Sequence, residues 1–181
     1  MSAPEPLPPQ PLTPLETALA EVEKHADTAG WDRPPQLFAL VETAELLARE
    51  PALAARVGLA ADEVPPGLYT PVEQDALPEQ PLDEALGHIM WPDGVVGCAL
   101  VHEVLVLPPQ AEEDRPDEAD PTEYARTHPD RREVRLSVAV LADGTSASAV
   151  RVRSKDGAAD DLMFGDDLAP NLTVALLMTL R

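Results

Sequence analysis

The stretch EVRLSVAVLADGTSASAVRVRS, residues 133–154, decides the fold. Two β-rich runs, 133–141 and 146–154, flank Asp143-Gly144, a hairpin signal. A two-residue turn at Asp143-Gly144 would set Leu136 opposite Arg151 and Val134 opposite Arg153. A three-residue loop with Gly144 in the left-handed position moves the pairing by one. Leu136 then faces Val150, and Val134 faces Val152. A slip of one residue turns every side chain to the other side of the sheet, so the register that joins apolar to apolar wins. It sets Arg135 opposite Arg151 and Glu133 opposite Arg153, and it brings Arg135, Arg151 and Arg153 onto one polar face.

Working outward, VVGCALVHEVLVL at 95–107 reads as a long central strand, bulged at Gly97. Downstream, Asp156-Gly157 is a second turn, and Leu162-Met163-Phe164 a short edge strand. Together these make a β-meander near the C-terminus. Leu37–Val41, a short apolar run after Pro34-Pro35, reads as a buried strand, with helix as the alternative. Thr13, Pro14 and Glu16 form a helix start, and Leu15, Leu19, Val22 and Ala26 fall on one face before Gly30 stops the helix. Short helices are expected over 44–49, 52–57 and 81–89. A last, almost wholly apolar helix runs over 170–180 with Asp167 near its start as cap, packed on the sheet or on another subunit. The fold class is therefore α+β, a small antiparallel sheet with helices packed mainly on one face.

The 181 residues make one domain's worth of chain. Residues 13–181 are expected to form it, preceded by a disordered, proline-rich tail at 1–12. A second proline cluster punctuates 61–80. A third, at 108–131, marks an acidic insertion expected to be mobile. Aromatics are only 3%, so Leu, Val and Ala must build the core. Membrane spans are excluded, because no run of eighteen apolar residues occurs. MSAPEPLPPQ has neither a basic nor an apolar signal region, and Cys98 is the single cysteine, so the expected setting is cytoplasmic without an internal disulfide.

Net charge is −20, which disfavours nucleic-acid partners. Residues 126–155 nonetheless carry +4, directly after an acidic run at 112–123 that carries −6. The basic face at Arg135, Arg151 and Arg153 is thus the candidate partner-binding site, for an acidic protein or a small anion. Two plainer readings compete with it. The face is simply solvated, or the acidic run folds back over it.

Chemistry is otherwise sparse. His25, His88, His102 and His128 show no zinc spacing, and Asp114, Asp117 and Asp120 lack the glycine and terminal glutamate of a calcium loop. Asp160, Asp161, Asp166 and Asp167 read as a turn and a helix cap. Cys98 and His102 share a strand face, but four strand residues span roughly 13 Å, too far for a thiolate–imidazole pair. Trp31 and Trp91 read as plugs at element junctions, in preference to ligand platforms. Asn171-Leu172-Thr173 matches a glycosylation acceptor by chance. No catalytic, cofactor or metal residue is assigned.

The stretches GWDRPPQLFALVETAELLAREP, IMWPDGVVGCALVHEVLVLP and REVRLSVAVLADG resemble an uncharacterised family of small acidic proteins from high-GC Gram-positive bacteria. The resemblance covers most of the chain except the tail and the acidic insertion. It implies a bacterial cytoplasmic setting and carries no activity. The function expected is a non-catalytic interaction or adaptor module acting through the basic face. The alternatives are a small hydrolase or transferase with dispersed catalytic residues, and a secretion-chaperone-like protein-binding domain. Oligomeric state is left open.

Overall fold

A computed structural model describes residues 10–154 and 161–181. In chain order the elements are α1 (Pro14–Ala29), β1 (Gln36–Glu42), α2 (Thr43–Arg49), α3 (Pro51–Val57), β2 (Tyr69–Glu73), α4 (Leu82–Gly87) and β3 (Val95–Val106). Then follow α5 (Pro109–Glu113), α6 (Pro121–Thr127), β4 (Arg132–Leu141), β5 (Ser146–Val152), β6 (Met163–Gly165) and α7 (Pro170–Thr179). The strands form one antiparallel sheet in the order β2-β1-β3-β4-β5-β6, and β3 to β6 make the meander. The class is α+β.

The hairpin has the odd-length loop. Val134 pairs with Val152, Arg135 with Arg151 and Leu136 with Val150. Gly144 sits at φ 96°, its N–H donates to the Leu141 carbonyl, and the Thr145 N–H donates to Asp143 Oδ1. Residues 36–42 are strand. Beside them the β3 bulge falls at Val96, because Leu40 pairs with Gly97 while Val41 pairs with Val95.

Helices pack on both faces of the sheet. Leu15, Leu19, Val22 and Ala26 of α1 pack on one face with Phe38, Leu40, Ala99, Val101, Ala139 and Ala149. On the other face, Leu86 of α4 and Leu176 of α7 pack with Leu37, Cys98, Leu100, Val138 and Val140. The physical reason is the unbroken apolar run in the middle of β3. Gly97 through Val101 are all buried, and a strand apolar on both sides needs cover on both sides.

Three further features are local. The 61–80 connection contains β2, a strand that its Pro71 hides from a propensity reading. Gln74 N–H bonds to the Leu37 carbonyl, so even-numbered β2 residues face β1 and the Pro71 nitrogen points to the open edge, where no ladder bond is lost. The acidic insertion holds α5 and α6. Asp120 caps the Glu123 N–H, and the Tyr124 hydroxyl donates to the Ala111 carbonyl. Ala169, not Asp167, is the N-cap of α7, and Asp167 instead accepts a long bond from the Thr173 hydroxyl. Most of the proposed tail, the Asp156-Gly157 turn and Asp160 lie outside the described residues.

Candidate functional site

Arg135, Arg151 and Arg153 do project from one side of the β4–β5 hairpin, but that side lies under α1. Arg135 is 1% exposed. Its Nη1 is 3.1 Å from Glu23 Oε1 and 3.1 Å from Asp27 Oδ1, and its Nη2 donates to the Gly30 carbonyl at 3.0 Å. Arg151 Nε reaches the same Glu23 oxygen at 2.6 Å. Arg153 Nη1 bridges Asp32 at 2.9 Å and Glu133 at 2.7 Å. The Trp31 ring lies over two of the guanidinium groups, 4.4 Å from Arg135 Cζ and 5.4 Å from Arg153 Cζ. Glu103, cross-strand from Arg135, accepts the N–H groups of Asp32 and Arg33 and ties the α1–β1 turn to the sheet.

The like-charge pairing of Arg135 and Arg151 is thus offset from within the chain, by Glu23 and Asp27 of α1 rather than by the acidic run at 112–123. The Arg153 guanidinium holds the exposed Asp32 carboxyl below its usual range by hydrogen bond and charge. Asp32 and Glu133 in turn raise Arg153. Sequence reasoning missed Glu23, Asp27, Asp32 and Glu103. For Glu23 a signal existed. It follows Leu19 by four residues and precedes Ala26 by three, so it sits inside the apolar stripe of α1. A carboxylate there needs a buried cation.

Cys98 is fully buried beneath α7. Its Sγ lies 3.8 Å from the Leu176 carbonyl and 3.7 Å from Thr179 Oγ1, and burial pushes the thiol up to about 11. Trp91 Nε1 donates to Thr179 Oγ1 at 2.9 Å, which anchors the C-terminal end of α7. Among the described residues no group of three or more His, Cys, Asp or Glu side chains is placed to hold a metal ion.

An apolar groove lies on the opposite face from the arginines. It opens between α4 and α7, over β3 and β4, with a volume of about 470 Å3. Leu82, Leu86, Val104, Leu136, Leu172 and Ala175 supply most of its apolar walls, and Asp83 and Asn171 its polar ones. His102 also lines it, half-buried. Burial lowers its pKa, against a smaller raising effect of Glu103, so the ring is neutral near pH 7. It makes no hydrogen bond to another described residue, so no nucleophile is held against it. The arrangement suits an apolar group that carries one polar contact for the imidazole.

Fold and sites together define a class, an α+β domain with helical layers on both sheet faces. One face is locked by an internal ion-pair network, and the other opens into an apolar groove. The chain belongs to the PPA1309-like protein family, an uncharacterised family whose model matches residues 15–181. Neither a curated protein nor a solved structure matches the chain.

Proposed function

We propose that the protein is a non-catalytic interaction module that receives an apolar element of its partner in the groove between α4 and α7. The observation that carries this reading is the groove itself, eight apolar residues around a neutral histidine. Its volume lies in the range of natural ligand pockets, roughly 300–1,000 Å3. An acidic protein or small anion bound at Arg135, Arg151 and Arg153 is the weaker reading. Such a ligand would have to displace Glu23 and Asp27, and with them α1. Among the described residues no nucleophile is held against a base, which leaves an enzymatic reading with less support. The single buried cysteine and the acidic, arginine-rich composition support a cytoplasmic setting in a high-GC Gram-positive bacterium.

The test is a backbone NMR titration of the full chain with a neutral helical peptide carrying Leu at amphipathic spacing and Gln elsewhere. Shifts are expected at Leu86, Val104, Leu172 and Ala175. Shifts confined to Arg135, Arg151 and Arg153 would move the site back to the arginine face. Unperturbed spectra at saturating peptide would remove the groove reading.

A further inference from the structure

The helix that walls the groove carries apolar surface well beyond it. α7 reads PNLTVALLMT and has no charged residue. Leu176 and Thr173 face the sheet, while Leu172 and Ala175 line the groove. Asn171, Val174 and Met178 recur at spacings of three and four, so they form a crest that adjoins Ala175. Val174 is 56% exposed and Met178 62%. The exposed surface continues across the same sheet face. Leu168 packs over Gly165 and donates its N–H to Ser148, and Met163, opposite Val150, is 51% exposed.

Methionine placement points the same way. All three methionines among the described residues are more than half exposed, Met90 at 91%. A flexible, polarizable side chain on the surface adapts to varied apolar partners, whereas a core methionine fills gaps.

Charge selects among those partners. Within 79–90 and 161–181, the helical and edge segments that flank this surface, stand Glu79, Asp83, Glu84, Asp161, Asp166 and Asp167 against Arg181, while Arg132, on the Leu136 side of β4, adds one cation beyond the Val104 end of the groove. Asp83 lines the groove, and Asp166 and Asp167 are exposed just before α7. The sheet's central arginines lie on the other face, paired with the carboxylates of α1. A second copy of this chain would bring a further −20 to the contact.

We infer that the groove and the α7 crest bind a basic amphipathic helix of another protein, its apolar side on Leu172, Ala175 and Met178 and its cations toward Asp83, Asp166 and Asp167. The inference rests on the groove reading above and adds the chemistry of the partner. It uses a helix-in-groove mode, in which apolar residues at helical spacing anchor and charges at the rim select.

The experiment compares three synthetic helical peptides with the same leucine pattern, filled with Lys, Gln or Glu, by fluorescence anisotropy on the full chain. The expected order is Lys tighter than Gln by about tenfold at low salt, with the Glu peptide weakest. At about 0.5 M salt the Lys advantage should shrink to a few-fold, since exposed charges are then screened within a few ångströms. Met178→Gln and Val174→Gln change exposed residues and leave the net charge alone. Each should weaken the Lys peptide about tenfold if its apolar contact is lost. Lys and Glu peptides that bind equally, yet lose affinity in the α7 variants, would overturn the basic preference and keep the groove. A Lys peptide unaffected by either variant would overturn the site, its attraction then lying elsewhere on the acidic surface. Failure of all three peptides would overturn both this inference and the groove reading.

Discussion

Replacing Arg135 with Met tests the ion-pair network most directly. Methionine keeps much of the apolar stem and removes the guanidinium. That deletes the bonds to Glu23, Asp27 and the Gly30 carbonyl, and the stack beneath Trp31. Glu23, fully buried, is left with Arg151 at 2.6 Å, while its second oxygen already has no partner. Breaking a buried pair from one side costs about 3–5 kcal/mol, chiefly because the survivor stays buried and uncompensated. Since Arg151 retains the carboxylate, the lower end applies, about 3 kcal/mol. In a domain of this size that lowers Tm by about 6–12 °C. Guanidinium denaturation followed by circular dichroism would measure it, with Glu23→Leu and the double variant completing a cycle. The double variant buries no orphaned carboxylate at this position, so it should cost about 2 kcal/mol less than the two singles added. A loss under about 1 kcal/mol for Arg135→Met, or additivity within about 0.5 kcal/mol, would refute the claim that the network fastens α1 to the sheet.

The remaining predictions concern the other face and strand β3. His102 has a folded pKa below its unfolded value of about 6.5, so the unfolded chain takes up its proton first as pH falls. Its contribution is therefore intact above about pH 6.5 and is lost below it, down to the folded pKa. His102→Gln should flatten the stability slope in that window, and equal slopes in both proteins would contradict it. Cys98, with its thiol near 11, should resist Ellman's reagent at pH 8 in the folded protein and react only on unfolding, so rapid native labelling would count against its burial. Gly97→Ala would place a Cβ 2.4 Å from the Val140 carbonyl oxygen, a backbone atom that cannot swing aside. A loss of about 1–3 kcal/mol is expected, and unchanged denaturation would show that β3 and β4 part freely at Gly97.

Much of this protein was legible from local chemistry. The hairpin register followed from 133–154, because the period of a strand is two and only one pairing keeps Val134 and Leu136 against valines. The capping box at Thr13 and Glu16, the short strand at 36–42 and the apolar last helix are equally local, each set by residues within a turn or two of one another. Strand β2 was hidden because a proline's tolerance depends on which edge its nitrogen faces, and pairing alone fixes that. Sequence also placed Arg135, Arg151 and Arg153 on one side of the hairpin, yet it could not say what lies above that side. Tertiary structure decided it by laying α1 across the sheet, bringing Glu23 to Arg135 across 112 residues and Arg151 to the same oxygen across 128. It likewise divided the helices between two faces and left the α4–α7 groove between them. The alternation of a strand names its two sides, but only the packing of distant elements determines which side is sealed and which stays open.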